Sequence, residues 1–289
     1  VMSPSHSLAI LGRFILGKKI VLDAGWPLTD STSTSQESNR LLKTYKQTKN
    51  YSIDFLSFHF SAHIWLESIA QMQRCKKIFR LKQIKMSVSY TGFLESRDSV
   101  KDTEVSNQNV SQNRSRPKLL FRGKKNKEAG FDVLINVILL AKDKLDFIVV
   151  TNFTKPDKLI TKNVEWYSDA ISDREISKIY RNVDACIGQL GDEKRLNVTI
   201  PHKLFEAAYF GKVYLSRESN SLNEILEEDE YIKLSSIRPE DIVKAILDSN
   251  LKKRRDLQQK IKRNYESNLC NTVISQQFYR DLKEVLLKN

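Results

Sequence analysis

Cysteine, glycine and proline are scarce in this sequence, and it has no long apolar run. Three Cys occur in 289 residues. Cys75, Cys186 and Cys270 are far apart, odd in number and form no Cys-x-x-Cys pair. That argues against a disulfide framework or structural zinc site, and a reducing compartment is the simplest expectation. Nine Gly and six Pro exclude collagen-like and low-complexity architectures. The longest apolar stretch, 133–141, contains Asn136 and falls far short of the ~20 residues a membrane span needs. Gly-x-Ser-x-Gly, Gly-Lys-Ser/Thr and Gly-x-Gly-x-x-Gly are all missing, so no serine nucleophile elbow, Walker loop or dinucleotide fingerprint is present.

Acid is also in short supply. Lys and Arg number 48 against 35 Asp and Glu, a formal charge of +13. Such a balance favours an anionic partner. Two stretches concentrate it. Arg74, Lys76, Lys77, Arg80, Lys82 and Lys85 have no acid among them, and Lys252–Arg263 is a basic run with helical spacing. Neither interleaves aromatics as single-strand nucleic-acid binders do, and no nucleic-acid module is recognisable. The run after 252 reads most simply as a solvated helix face. For 74–85, an anionic membrane surface or lipid phosphate is the better functional expectation, and nucleic acid is not expected as a partner.

With 40% hydrophobic residues the chain can build real cores, and its length suggests about two domains. Residues 96–116, rich in Ser, Asn and charge, read as a flexible linker between a first part, 1–95, and a second, 117–289,. The second part alternates strand and helix signals: strands at 118–122, 147–151, 164–167, 185–188 and 212–215, helices at 128–142, 173–181, 201–210 and 240–248, and two helices after those. Apolar strands with intervening helices imply a parallel sheet covered on both faces, with ligands beyond the strands' carboxyl ends. The first part reads as a strand at 18–23, a long helix at 53–73 and a strand at 84–90. It has too few strands for a whole doubly wound domain. Its opening residues look like a domain interior, so the chain is expected to lack its natural N-terminus.

Two motifs carry chemistry. Arg122-Gly123-Lys124-Lys125 follows a strand and precedes a helix. Gly123 would let the backbone approach a ligand, while Arg122 and Lys124 put positive charge where phosphates bind. The alternative is an ordinary basic turn. Thr199-Ile200-Pro201-His202-Lys203-Leu204-Phe205-Glu206 opens a second helix. Its Pro suits the first turn, amides near Thr199 and Ile200 would face an anion, Lys203 lies in the first turn, and Glu206 could accept bonds from vicinal hydroxyls. The alternative is an amphipathic helix with solvent-facing Glu and Lys.

With these residues the second part resembles the donor half of GT-B-fold, nucleotide-sugar-dependent glycosyltransferases, especially retaining family-four (glycosyl transferases group 1) enzymes. Gly123-Lys124 and Glu128-Ala129-Gly130 stand where that family has Gly-Arg and Glu-Lys-Gly. Tyr180 to Asp184 stands for its Tyr-x-x-Ala-Asp strand approach, and Pro201 to Val213 for its Pro-x-Lys-x-x-Glu segment. The resemblance covers roughly 115–230. It implies an α/β, GT-B type fold of two Rossmann-like doubly wound parallel-sheet domains, the first one incomplete. It implies transfer of a hexosyl unit, with retention, from a nucleotide diphosphate sugar to a glycan or lipid-linked acceptor in cell-surface polysaccharide or glycoconjugate synthesis. A cytoplasmic enzyme, peripheral on the inner membrane face and needing no cofactor or metal, is expected.

Residue by residue, the resemblance puts Lys124 and Lys203 beside the diphosphate and Glu206 on the ribose, with Arg122, Gly123, Thr199, Ile200 and Pro201 completing the donor site. Two departures matter. Ala129 replaces a family Lys, and Val198 stands where a second Glu holds the donor sugar; Lys127 or Arg195 is the nearest substitute. The first part becomes the acceptor-side domain. There Asp23, at a strand end, is a candidate acid/base or acceptor contact, or simply the cap of the Gly25 turn. His6 is a candidate for lining the cleft. His59, His63 and Glu67 share a helix face at i, i+4 and i+8, but the surrounding apolar residues favour a buried or interface helix over a metal site. A non-catalytic relative that binds a nucleotide or anionic glycan, and a binder of nucleic acid or anionic surfaces, remain the alternatives.

Overall fold

The computed structural model describes residues 6–17, 19–33, 39–82, 86–93, 116–159 and 161–287. Most of the expected linker, 96–115, and Lys85 lie outside them. The chain forms two compact units: 1–91 with 197–200 and 272–289, and 92–196 with 201–271. The C-terminal helix thus counts with the first unit.

The first unit is a small parallel sheet with helices. In chain order it has α1 (His6–Leu16), β1 (Val21–Asp23), α2 (Leu28–Ser33), α3 (Arg40–Phe60), β2 (His63–Leu66), α4 (Ile69–Phe79) and β3 (Met86–Val88). The strands run parallel in the order β1-β2-β3, with Leu22 opposite Ile64 and Ile64 opposite Met86. The single long helix expected over 53–73 does not form. Asn39 caps α3 through bonds to the amides of Leu41 and Leu42, the helix stops at Phe60, and His63–Leu66 becomes a wholly buried strand. Ser68 then caps α4 through the Gln71 amide. The His-Ile-Trp-Leu run is short, apolar and buried on both faces. Periodicity cannot tell such a strand from a buried helix. The core joins Ala9, Leu22, Phe58, Ile64, Leu66, Phe79 and Met86.

The second unit is a six-stranded, all-parallel sheet. It has β4 (Lys118–Arg122), α5 (Phe131–Leu140), β5 (Asp146–Val150), β6 (Val164–Tyr167), α6 (Asp173–Arg181), β7 (Ala185–Ile187), α7 (His202–Tyr209), β8 (Val213–Arg217), β9 (Ile232–Leu234), α8 (Pro239–Asp248) and α9 (Leu251–Asn264). A final helix, α10 (Asn271–Leu287), belongs to the first unit. The strand order is β6-β5-β4-β7-β8-β9. Chain progression therefore reverses between β4 and β7, the switch point where open α/β sheets bind ligands.

Local chemistry explains the element ends. Ser172 and Glu175 close a reciprocal capping box on α6,. Gly211, with φ +57, terminates α7 in the left-handed region,. Strand β4 buries Leu119, Leu120 and Phe121, while α5 contributes Leu134, Val137 and Ile138 to one continuous core with Phe147, Val149, Ile187 and Leu215.

Candidate functional site

The carboxyl ends of β4 and β7 bring the two motifs of the second unit together. Gly123 follows β4, and its amide donates to the Val150 carbonyl at 2.9 Å. Lys203, in the first turn of α7, reaches across the switch point. Its Nζ donates to the Gly188 carbonyl at 2.8 Å and lies 4.8 Å from the centre of the Phe121 ring. A Cβ on Gly123 would stand 3.7 Å from that Nζ, an ordinary contact distance, so the glycine and the ammonium lie side by side. Burial pushes the Lys203 pKa down to about 8, against the pull of Glu206.

Glu206, one turn further along α7, is buried, with 4% of its side chain exposed. The expectation that it faces an open crevice is modified by its partners. One carboxylate oxygen accepts from Arg122 and the other from the Tyr180 hydroxyl, while His202 Nδ1 stands 3.4 Å from the first. Burial alone would raise the Glu206 pKa; hydrogen bonds from His202, Arg122 and Tyr180 outweigh it and hold the carboxyl below its ordinary range,. The Arg122 side chain is 38% exposed and that of His202 is 52% exposed, so they form the solvent side of this cluster. Tyr180 is held by stacking on Phe210 at 4.9 Å and 8°. Pro201 is the N-cap of α7, with φ −71 and ψ 130, rather than its first helical residue.

A second layer fixes the loop after β4. Lys124 and Lys125 are exposed on it, and Lys125 Nζ lies 3.6 Å from the centre of the Phe153 ring. The Asn126 side chain accepts from the Ala129 amide at 2.7 Å. Gly130, with φ +68, occupies the left-handed region just before α5. The loop after β7 lies against this turn, and Gly191 donates to the Glu128 carbonyl at 3.1 Å. A Cβ on Gly191 would stand 2.4 Å from the Lys127 carbonyl oxygen. Arg195 is buried and grips both oxygens of Glu128 at 2.7 Å. It is therefore committed to the scaffold, which corrects the expectation that it substitutes for the missing sugar carboxylate.

Other expected residues count with the first unit. Thr199 and Ile200 are buried and count with the first unit. In that unit the Ser68 hydroxyl donates to the Val198 carbonyl at 2.6 Å. Asp23 also belongs there, and one of its oxygens accepts from the Gly25 amide at 3.1 Å, the geometry of a turn cap. His6 does not line a cleft: it is buried beside Phe58, 3.8 Å from Asp54, whose oxygens hold the amides of Leu28 and Thr29. His59 ends α3, whereas His63 lies on β2 bonded to Ser87 at 2.8 Å, so the two share no helix face. Among the described residues no three His, Cys, Asp or Glu converge as a metal site. Burial pushes the Cys75 and Cys186 thiols well above their ordinary range, which keeps them protonated and unreactive.

Gly188, His202 and the role of Tyr180 were not read from the sequence. A Cβ on Gly188 would meet the Tyr214 hydroxyl at 2.5 Å, but only the fold shows that encounter. His202 is next to the Lys of a recognised motif, and its distance from Glu206 is the ordinary i, i+4 spacing of a helix.

No known family model and no curated protein matches the sequence. Solved structures do resemble it. Anabaena HepE in complex with UDP-glucose aligns with a TM-score of 0.70 and 13% identity, covering 97% of this chain and 76% of that one. Sucrose-phosphate synthase from Thermosynechococcus elongatus aligns at TM-score 0.72 and 9% identity, over 97% of this chain and 72% of that one. A glycosyltransferase from Rickettsia africae ESF-5 aligns at 0.61 and 10%, over 99% and 97% of the two chains. Two parallel sheets, a switch point at β4 and β7, and this structural likeness together establish that the chain has the α/β architecture of the GT-B fold.

Proposed function

We propose that this protein is a nucleotide-sugar-dependent glycosyltransferase. The observation that carries the reading is the position of Lys203 Nζ across the β4–β7 switch point, beside Gly123. A cation held against a backbone glycine where the sheet opens suits a diphosphate. Lys203 and Lys124 stabilise the charge that builds on the departing nucleoside diphosphate. Arg122 presents the outer face of its pair with Glu206. A carboxylate has about four acceptor positions, and those Glu206 has left are assigned to the ribose hydroxyls. Gly123, Thr199, Ile200 and Pro201 supply backbone to the donor. Asp23 is assigned to the acceptor side. Neighbouring structures were solved with UDP and UDP-glucose, and a nucleoside diphosphate sugar is the donor proposed for this chain.

The transfer proposed is of a hexosyl unit, with retention and without a bound metal, to a glycan or lipid-linked acceptor in cell-surface polysaccharide or glycoconjugate synthesis. The enzyme would act in the cytoplasm on the inner membrane face. Exposed Lys76, Lys77, Arg80 and Lys82 support contact with anionic lipid headgroups,. Among the described residues no helix is long and apolar enough to cross a membrane.

The test is a thermal-shift series with UDP, GDP, ADP, CMP and their sugars. A ligand at 100 times its Kd adds about 2.7 kcal/mol and should raise Tm by roughly 5 °C. One nucleotide should give that shift, and Glu206→Ala or Lys124→Ala should lose it. Full donor affinity in both variants would remove the site assignment. No shift with any nucleotide would favour a non-catalytic relative.

A further inference from the structure

A carboxylate offers about four acceptor positions, two on each oxygen. Glu206 meets both hydroxyls of a vicinal diol only if two of its positions are open. One position on Oε1 is filled by the Arg122 guanidinium, and one on Oε2 by the Tyr180 hydroxyl. His202 Nδ1 stands 3.4 Å from Oε1 and competes for that oxygen's second position. Among the described residues no other group donates to this carboxylate. The open position is therefore the second one on Oε2.

The three donors differ in how firmly they are held. Arg122 is bound by its charge to a buried partner, a pair that is costly to break,. Tyr180 is 1% exposed and its ring lies flat on Phe210. His202 is the loose one. Its side chain is 52% exposed, and 3.4 Å is long for a hydrogen bond,. Its ring leans edge-on against Phe93 at 6.1 Å, and Phe93 is pinned in turn by the Tyr265 hydroxyl, which donates to its carbonyl at 2.9 Å,. Burial works to raise the Glu206 pKa, and the bond from His202 is foremost among the contacts that lower it. The charge of Glu206 is already met by Arg122, so ion pairing alone does not account for a third donor on the solvent side.

We propose that His202 is a specificity-determining residue of the donor site: its imidazole covers the outer position of Glu206, so the carboxylate reads one ribose hydroxyl rather than two. The inference rests on the donor-site reading above and adds to it how much of the ribose is recognised. Of the vicinal pair, the hydroxyl that reaches Oε2 donates to a charged acceptor. Its neighbour meets the imidazole and contributes little.

The experiment is calorimetric titration of the whole chain with UDP, GDP and ADP, each beside its 2′-deoxy and 3′-deoxy forms. For the nucleotide that binds, one deoxy form should lose about ten- to a hundredfold in affinity, the range for a lost hydrogen bond to a charged group, while the other stays within about threefold of the parent. His202→Ala removes the cover. In that variant the second deoxy form should also fall behind the parent nucleotide, by about tenfold. General loosening of the fold would weaken all three ligands together and leave their ratios alone. His202→Asn, whose amide can hold the same oxygen, should restore the wild-type pattern. Should His202→Ala fail to fold by circular dichroism, the wild-type ratios and His202→Asn decide. Equal losses for both deoxy forms in the wild type would overturn the proposal and leave the donor site standing, as would an unchanged pattern in a folded His202→Ala chain. Full binding of both deoxy forms, or binding of no nucleotide, would overturn it together with the assignment of Glu206 to the ribose.

Discussion

Lys203→Met should stabilise this protein while removing its proposed activity. Burial lowers the Lys203 pKa from 10.5 to about 8, and a shift of that size corresponds to about 3 kcal/mol of cost for keeping the ammonium charged in the folded state. The unfolded chain holds its proton up to the ordinary value. Between about pH 8 and 10.5 the unfolded state therefore binds more protons than the native one, and stability rises with pH by up to about 1.4 kcal/mol per unit. Below pH 8 both states are protonated and the whole cost is present. Methionine keeps the apolar stem beside Phe121 and removes the charge. It also leaves the Gly188 carbonyl without its donor, a loss of about 1 kcal/mol. The net expectation is a gain of about 2 kcal/mol at pH 7, shrinking to zero or below by pH 10. Urea unfolding at both pH values, followed by circular dichroism, measures it. A variant less stable than wild type at pH 7, or a difference that does not change with pH, would refute the argument. The same variant should show no thermal shift with a nucleoside diphosphate, the expected trade between stability and function.

Three further outcomes follow from the scaffold. Gly191→Ala should cost about 1–3 kcal/mol or more, because its Cβ would stand 2.4 Å from one backbone carbonyl and 2.5 Å from the next,; a chemical denaturation curve coincident with wild type would contradict this. Arg195→Met should destabilise by about 3 kcal/mol by stranding Glu128, and adding Glu128→Leu should recover most of the loss,; additivity in the double-mutant cycle would argue against the pair. Glu206→Gln should flatten the acid limb of the stability profile. The Glu206 pKa is lowered in the fold, so its contribution is complete above the ordinary carboxyl range and disappears as pH falls through the depressed value. An unchanged acid limb in that variant would mean the carboxylate is not held as described.

The second unit was far more legible than the first. Its strands are short apolar runs separated by amphipathic helices, and Ser172 with Glu175 marks a helix start in the sequence itself. There β4, β6, α6 and α8 lie close to where periodicity put them. Two strands were missed or shortened for a physical reason. Strand β9 is three residues long, and β8 runs on to Arg217, a charged residue that an apolar pattern does not include. In the first unit, a continuous apolar pattern from α3 into β2 hid the break at Ser61 and Ala62. Helix α1 was missed because it is apolar nearly all round, a property that belongs to its surface rather than to a core stripe.

The site was legible in part. Lys203, Gly123, Arg122 and Glu206 were singled out, and the fold gathers them. Their wiring was not readable. That Glu206 is claimed by Arg122 and Tyr180, and that Arg195 belongs to Glu128, depends on residues 84, 26 and 67 positions apart. No local pattern encodes such pairings.

The order β6-β5-β4-β7-β8-β9 also bears on how the chain is made. The central strand emerges from the ribosome first. Strand β5 docks on one of its edges and β6 on that, after which β7, β8 and β9 extend the other side. Every strand therefore meets a partner already synthesised, and none waits for a later one. Parallel pairing is intrinsically slow because each pair closes a long loop. Outward growth from the middle limits the exposed edges at any moment to two, and vectorial synthesis supplies them in the order the sheet requires.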